Sequence, residues 1–381
     1  MVQGALVSGS GRAGRAGRAG RAALLDDLQG QPAAVRRVAD DAGLGRSLRA
    51  VAQAVGRGPL LMSGMGASLY AADVAAVALR ADGLQAWTLP ASELAHHVSG
   101  LRDVPLVLIS QSGASVELAR VAAARGAGAP VWCLTLNPAL AFDGVTPLVL
   151  PGALEQGYAA TRSFTSTLVG LARLRAELGG PPVDVAAAVV SVEGGVDALR
   201  APMAAAARSL GDVGALVVTA RGALKGVAAY GALIAMELAA LPAFALDAGL
   251  LRHGPIEAFG PGLGVVALRA ADAVASLTGS LARTAQGYGS PTLLLDADGL
   301  DDAEAGRRTR AEAASDPGRF APVARGADAS GAQRWRFPAG DELANWLGAS
   351  LALQWLAIGL AEARGRVPGE GTRGSKVTLE E

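Results

Sequence analysis

The sequence predicts an α/β protein of two tandem, doubly wound parallel sheets that are related by an internal repeat. Short apolar runs of strand length alternate with longer helical patterns, which is typical of a parallel sheet with helices on both faces. One order of segments also recurs. A strand, a glycine turn and an alanine-rich helix begin at Pro59 and again at Gly214. Two copies of one fold are the simplest interpretation of this repeat.

The division of the chain follows from these patterns. The 381 residues suffice for two domains, and a hydrophobic content of 51% allows a large core. We expect a disordered tail and N-terminal helices at 1–57, a first domain at 58–190, a second domain at 205–364 and a C-terminal tail at 365–381. The Gly-Arg-Ala triplets of residues 11–22 are low in complexity and indicate the disordered tail. We interpret the charged segment 300–334 as an exposed insertion.

Composition excludes several classes of function. The formal net charge is zero, which argues against nucleic acid or an acidic membrane surface as a partner. The single cysteine, Cys133, excludes an internal disulfide and a cysteine-based zinc site. Three histidines are too few and too scattered for a metal site, so we expect neither a metal nor another cofactor.

Two apolar segments resemble membrane spans. Residues 343–361 carry no charge but contain three polar side chains, so we expect a buried helix there. The other segment, 226–246, has Glu237 in its middle, and a charge is costly at that depth in lipid. Because no apolar stretch follows the basic N-terminus, no secretory signal is predicted, and we expect a cytoplasmic protein without a membrane partner.

The most informative segment is Pro105-Leu-Val-Leu-Ile-Ser-Gln-Ser-Gly113, a buried-strand pattern that ends in small polar residues just before a helix. Such a turn presents free backbone N–H groups and the helix dipole at one spot, which suits an anion. The side chains that can reach this spot are Ser110, Gln111, Ser112 and Ser115. The loop lacks the lysine of nucleotide-triphosphate sites, which favours a phosphate monoester. An ordinary strand-to-helix turn is the alternative.

Two further strand-end turns repeat this design. One contains Gly66 and Ser68, and the other runs from Glu155 to Ser163 before a helix that begins near Phe164. Ligands of parallel sheets bind at the carboxyl ends of the strands. The three turns together therefore predict a substrate site at one sheet edge.

Further motifs follow in a definite order along the chain. They are the Gly66/Ser68 turn, Ser92-Glu-Leu94, Ser110-Gln-Ser-Gly113, Ala160-Thr-Arg-Ser-Phe164, Glu237, Arg252-His-Gly-Pro255 and Ser375-Lys-Val-Thr378. In this order the chain resembles, from about Gly58 onward, the tandem sugar isomerase (SIS) domain family, whose domains are flavodoxin-like. It is similar to the isomerase half of glucosamine-6-phosphate synthase and to SIS-type glucosamine-6-phosphate deaminases.

The resemblance implies a site and a chemistry. Glu237 would move a proton between C1 and C2 of a sugar phosphate, as a single carboxylate can do through a cis-enediol. His253 would open the sugar ring at the neighbouring subunit's site, which implies a homodimer, and Lys376 would contact the sugar near C1 or C2. The implied substrate-binding residues are Gly66, Ser68, Ser110, Gln111, Ser112, Ser115, Glu155, Thr161 and Ser375. The alternatives are a helix-face glutamate, a core histidine and a solvated terminal lysine.

Departures from the family pattern keep a second hypothesis open. Ile234 and Leu250 stand where the synthase has a lysine and a glutamate, and Ala114 and Ala160 replace polar residues. The synthase's glutaminase domain is not part of this sequence, which favours a deaminase or a simple isomerase of an amino-sugar or ketose 6-phosphate. A non-catalytic sugar-phosphate-binding regulatory protein is the alternative.

Overall fold

The computed structural model describes residues 9–371, apart from 127, 141, 273, 299, 301–325, 328–332 and 339. Its helices are α1 (Gly9–Gln29), α2 (Gln31–Asp40), α3 (Ala42–Val55), α4 (Ala67–Ala81), α5 (Ala91–His97), α6 (Val116–Arg125), α7 (Arg162–Glu177), α8 (Val185–Ala198), α9 (Arg200–Ser209), α10 (Leu224–Ala239), α11 (Ala275–Gly287) and α12 (Glu342–Ala363). Its strands are β1 (Leu60–Gly64), β2 (Ala86–Pro90), β3 (Leu106–Ile109), β4 (Val131–Thr135), β5 (Thr146–Val149), β6 (Ala215–Ala220), β7 (Ala243–Asp247), β8 (Leu263–Arg269), β9 (Thr292–Ala297), β10 (Gly326–Ala327) and β11 (Gln333–Phe337).

The strands form two sheets of closely similar topology. The first sheet has the order β2-β1-β3-β4-β5, and all its neighbouring strands are parallel. The second has the order β7-β6-β8-β9-β11-β10, parallel except for the short β10. Counted over the parallel strands alone, without β10, both sheets have the order 2-1-3-4-5 of flavodoxin-like folds. The predicted α/β class with two doubly wound parallel sheets is confirmed.

The structure contradicts one prediction about an irregular segment. Helix α1 continues through the Gly-Arg-Ala repeat, where a disordered tail was expected. Its C-terminal half is anchored by the buried Leu24 and Leu28, and extending an anchored helix through Ala and Arg needs no new nucleation. Most of the expected insertion at 300–334 lies outside the described residues, and its last two residues belong to β11, which pairs with β9 and buries Trp335.

Residue types do not mark the start of strand β7, because no helix-ending glycine separates it from α10 in the sequence. The apolar run continues from the helix into the strand without a glycine. The helix nevertheless ends at Ala240, which adopts the left-handed conformation with φ of 47°. Pro242 then precedes an edge strand that pairs with β6. A non-glycine residue in this conformation is uncommon, so the stop could not be read from residue types.

Helices α4, α10 and α12 pack in the shared core between the two halves. Helices α4 and α10 approach so closely at Gly226 that a Cβ there would lie 2.5 Å from the carbonyl oxygen of Tyr70. Within the described residues, α12 is the helix long and apolar enough to span a membrane, but 94% of its apolar window is buried inside the protein. The expectation of a buried helix at 343–361 is confirmed.

Candidate active site

A polar cavity of about 340 Å³ opens at the carboxyl edge of the first sheet. Its walls come from the turn after β1, the loop after β3, the segment before α7 and the second half of α10. The lining residues are Met65, Gly66, Ala67, Ser68, Ile109, Ser110, Gln111, Ser112, Ser115, Glu117, Leu118, Tyr158, Ala160, Leu233 and Glu237. The structure thus brings six predicted binding residues and Glu237 into one cavity.

The loop after β3 is held by its own short side chains. The Ser110 hydroxyl accepts a hydrogen bond from the Gly113 N–H at 3.1 Å, and the Ser112 hydroxyl accepts one from the Ala114 N–H at 3.3 Å. The side chain of Asn137, from the turn after β4, donates to the Ser112 carbonyl at 2.7 Å. These bonds fix the backbone while leaving the serine hydroxyl protons available to a ligand.

Two helices begin at the cavity. The first intrahelical bond of α6 runs from Ala119 N–H to the Ser115 carbonyl, so the three preceding N–H groups have no partner within the helix. Residues of the first turn of α4, including Ser68, line the cavity as well. Because a helix N-terminus carries a partial positive charge, this end of the cavity suits an anion.

Glu117 is a lining residue that sequence reasoning missed. It is buried in the first turn of α6, and its carboxylate accepts a hydrogen bond from the Ser115 hydroxyl at 2.6 Å. The bond orients Ser115, and the helix N-terminus stabilises the carboxylate. The signal that marks it is the Ser-x-Glu spacing at the start of a helix.

Glu237 enters this cavity from the other half of the molecule. Helix α10 crosses α4, and Leu233, one turn earlier, lies close to Gly66. The Glu237 carboxylate lies near three tyrosines. After burial, which acts most strongly, it contributes to raising the pKa of Tyr158, and after burial and Asp73 it does the same for Tyr70. Burial is also the main cause that raises the pKa of Tyr230, with a smaller contribution from Glu237.

Glu155 and Thr161 were predicted to bind substrate, but the structure places both outside the cavity lining. Both are buried, and one Glu155 oxygen accepts hydrogen bonds of 2.7 Å from the Thr161 N–H, the Thr161 hydroxyl and the Arg162 N–H. The other oxygen accepts from the Ser163 hydroxyl. A carboxylate so placed stabilises the N-terminus of α7, so these two residues shape the loop that carries Tyr158 and Ala160.

The same loop is held from its other side by α1. The buried Asp27 carboxylate accepts hydrogen bonds from the Gln156 N–H at 2.9 Å and the Gly157 N–H at 2.6 Å. Its second oxygen forms an ion pair with Arg162 at 2.7 Å. The N-terminal helices are therefore part of the structure that supports the candidate site.

A buried polar chain adds a third support. The Tyr230 hydroxyl donates to the Ala160 carbonyl at 2.6 Å and accepts from Gln354 at 3.0 Å. Gln31, at the start of α2, donates to the Gln354 side-chain oxygen at 2.8 Å. The ring of Tyr230 stacks on Phe164 with a centroid distance of 3.7 Å. Helices α2, α10 and α12 are thus connected to the loop next to the cavity.

Of the remaining predicted catalytic residues, the structure describes only His253. His253 is exposed, between two short 3₁₀ turns at Leu250–Arg252 and Pro255–Ala258, and does not line the cavity. Ser375 and Lys376 lie outside the described residues. The last described residue, Gly371, passes so close to Tyr158 that a Cβ would lie 2.6 Å from its ring.

Comparison with known proteins agrees with the motifs. The chain matches no protein-family model. It is 28% identical over 285 residues to glutamine–fructose-6-phosphate aminotransferase (isomerizing) of Aeropyrum pernix, covering 69% of this chain and 46% of that protein. The chain thus spans less than half the length of this curated relative.

Solved structures share the fold at lower identity. Tagatose-6-phosphate ketose/aldose isomerase of Escherichia coli superposes with a TM-score of 0.73 at 17% identity, over 91% of this chain and 95% of that one. Glucosamine-6-phosphate deaminase of Thermotoga maritima superposes with a TM-score of 0.70 at 16% identity, over 93% and 99% of the two chains. The resemblance to the tandem sugar isomerase proteins is confirmed by these matches.

Proposed function

We propose that this protein, which has the fold of the phosphosugar isomerases, is an enzyme that acts on an amino-sugar or ketose 6-phosphate. The observation that carries the proposal is one cavity with an anion-binding loop on one side and the Glu237 carboxylate on another. Its volume lies near the lower end of the roughly 300–1,000 Å³ of small-molecule sites. The reaction would be an aldose–ketose isomerisation or the deamination of an amino sugar that uses the same proton shift.

The phosphate group would bind at the loop after β3. The hydroxyls of Ser110 and Ser112 and the first turn of α6 supply hydrogen-bond donors there, while Ser115 lines the cavity and donates to Glu117. The described cavity lining contains no lysine or arginine. A site of neutral donors and helix dipoles suits the single phosphate of a sugar monoester better than a triphosphate with its metal ion.

Glu237 would be the base. Removing the proton from C2 of an open-chain aldose gives a cis-enediol, and returning the proton to C1 gives the ketose, so one carboxylate serves both steps. Anchoring the phosphate at the opposite wall would hold C1 and C2 against this carboxylate.

Two residues would complete the site from elsewhere. We propose a homodimer in which His253 opens the sugar ring at the second copy's site, because His253 is exposed and does not line the cavity of its own chain. Leu250 and Phe244 nearby are 59% and 51% exposed, which fits a contact surface. Lys376 follows Gly371 by five residues, a reach of up to roughly 17 Å, and would join Ser375 over the sugar.

The two halves would be copies of one unit, at about 58–190 and 205–364, with only the first copy binding the phosphate. Their common strand order supports this duplication. We also propose a cytoplasmic location, where sugar phosphates are available.

The proposal is tested with a panel of hexose 6-phosphates that includes glucosamine 6-phosphate. Ketose formation and ammonia release are measured separately, because an isomerase gives only the first and a deaminase gives both. Activity on at least one member supports an enzyme. Binding without turnover across the whole panel overturns it.

A non-catalytic sugar-phosphate-binding regulator is the second candidate. The specific observation in its favour is the replacement of two charged positions of the family by Ile234, which is 1% exposed, and Leu250. This candidate predicts saturable binding of a sugar phosphate to the loop after β3 with no exchange of the C2 proton in deuterated water. An enzyme, in contrast, would exchange the C2 proton of a bound sugar phosphate even where the complete reaction did not proceed.

A further inference from the structure

The cavity contains a candidate base, Glu237, but its described lining has none of the cationic side chains that commonly supply a proton. Moving a proton from C2 pushes electrons onto the oxygen at C1, and that oxygen needs a hydrogen-bond donor or a proton. No lysine, arginine or histidine is among the described residues that line the cavity. Most neutral donors belong to the turn after β1 and the loop after β3. Lys376, proposed to lie over the sugar, is outside the described residues, so among the described residues the donor near Glu237 must be of another kind.

Tyr158 meets this need by position. It lines the same cavity as Glu237, and its hydroxyl donates no hydrogen bond to any residue that the structure describes. The backbone on both sides is fixed, by Asp27 at Gln156 and Gly157 and by Glu155 at Thr161. A side chain on a fixed backbone can hold a donor in place without reorganisation.

The other two tyrosines near Glu237 are less suited. The Tyr230 hydroxyl is fully buried and already bonded to the Ala160 carbonyl and to Gln354. Tyr70 is not among the cavity-lining residues. Tyr158 is thus the phenol that can meet a sugar bound between the loop after β3 and Glu237.

We infer that Tyr158 is the acid that works opposite the base Glu237, an inference that rests on the proposed function. Glu237 takes the proton from C2 as the C2–H electrons form the C1=C2 bond. The carbonyl electrons move to O1, which takes the phenol proton of Tyr158. In the second half, Tyr158 recovers a proton from the hydroxyl on C2 while C1 takes the proton from Glu237. Aldose becomes ketose, and both side chains return to their starting states.

The charges support this pairing. Before the step Glu237 is negative and Tyr158 neutral, and after it the reverse holds, so the negative charge moves without accumulating. Burial, and secondly the Glu237 carboxylate, raise the pKa of Tyr158, which keeps the phenol protonated in the resting enzyme. Once Glu237 is protonated, it carries no negative charge, so it no longer disfavours ionisation of the Tyr158 phenol.

The test uses the full-length protein and the panel sugar that it converts fastest. Tyr158→Phe should lower kcat by about 10²–10³-fold, as loss of one oxyanion donor does. KM and the affinity for the hexitol 6-phosphate, which has no carbonyl, should stay near wild type. Tyr288→Phe is the matched control, because Tyr288 is 61% exposed at the end of α11. Tyr70→Phe tests the competing phenol.

Each outcome has a distinct meaning. If wild type is active and Tyr158→Phe is as active, the inference is wrong and the proposed function stands. A loss of kcat in Tyr70→Phe alone would assign the acid to Tyr70. A loss of hexitol phosphate binding in Tyr158→Phe would make Tyr158 a binding residue and overturn its catalytic role. Inactivity of wild type on the whole panel would overturn the proposed function and this inference together.

Discussion

The loop after β3 and the loop after β8 occupy equivalent places in two sheets of the same strand order, yet their chemistry is opposite. The last registered pair of the central strands in the first sheet is Ile109 with Leu134, and in the second sheet it is Arg269 with Asp296. The second pair is fully buried and joined by an ion pair of 2.6 Å. One sheet edge is apolar up to its loop, and the other ends in a closed network of charges.

The loops themselves differ in the same sense. In the first, small hydroxyls precede the N-terminus of α6. In the second, the Asp272 carboxylate accepts a hydrogen bond of 2.9 Å from the Val274 N–H just before α11. Asp272 thus occupies a backbone N–H group at the start of α11, whereas Glu117 at the start of α6 accepts from a side-chain hydroxyl, and the first N–H groups of α6 have no partner within the helix. The comparison teaches that side chains at the strand ends, rather than the fold, set the chemistry of each sheet edge.

The largest expected effect is on turnover, when the proposed base Glu237 is replaced. Glu237→Gln keeps the shape of the side chain but removes the proton acceptor, so turnover should fall by about 10²–10⁴-fold. Sugar-phosphate affinity should barely change, because the loop after β3 supplies it. Steady-state kinetics measure turnover, and exchange of the C2 proton in deuterated water measures proton transfer by the carboxylate.

Glu193→Gln is the control for that variant, since Glu193 forms an exposed ion pair with Arg36. It should behave as wild type. Wild-type proton exchange in Glu237→Gln would show that another residue is the base.

The charge network of the second sheet should matter for stability but not for binding. Asp296→Asn removes the carboxylate that pairs with the buried Arg269 and with Arg334, which should lower the free energy of unfolding by about 3–5 kcal/mol. Asp298→Asn, in the partly exposed pair with Arg336, should cost less than about 1 kcal/mol. Urea unfolding of both variants provides the values. Equal losses of unfolding free energy in the two variants would mean that the buried Arg269–Asp296 pair stabilises the fold no more than the partly exposed pair does.

The serines of the first loop should matter for binding, both as donors and because their hydroxyls hold the N–H groups of Gly113 and Ala114. Ser110→Ala with Ser112→Ala removes two donors to a dianion, each worth about 1.5–3 kcal/mol, so affinity should fall at least about tenfold. Ser276→Ala, in the exposed first turn of α11, is the matched change in the other half and should have no effect. Calorimetric titration with a sugar phosphate distinguishes them. Unchanged affinity in the double variant would place the phosphate elsewhere.

The smallest expected effect is a pH dependence from the second loop. Burial is the main cause that raises the pKa of Asp272 above 3.8, opposed by hydrogen bonds from the Val274 and Ala275 amides. The folded state therefore binds this proton more tightly than the unfolded state. The associated stability is complete below pH 3.8 and is lost as the pH rises through the folded-state pKa.

Asp272→Asn should abolish that loss, so its free energy of unfolding should fall less than that of wild type over this window. Asp212→Asn is the control, because Asp212 is fully exposed. Parallel pH curves for wild type and Asp272→Asn would contradict the assignment.

Local patterns determined much of this protein from sequence alone. Strand-length apolar runs, glycine turns and helical periodicity were enough for the α/β class and for the strand-end position of Ser110, Gln111 and Ser112, because these features depend on neighbours in the chain. Glu237 came from the resemblance to the sugar isomerase family, and its apolar surroundings favoured that assignment.

Only the tertiary structure decided which of these residues meet. Glu237 and Tyr158 are 79 positions apart and share a cavity because α10 crosses α4 at Gly226. Glu155 has the residue type of a site residue, yet its oxygens are taken by the start of α7. Periodicity encodes which face of an element is buried, but it contains no information on which distant element covers that face. The packing of helices from both halves therefore determined the composition of the candidate site.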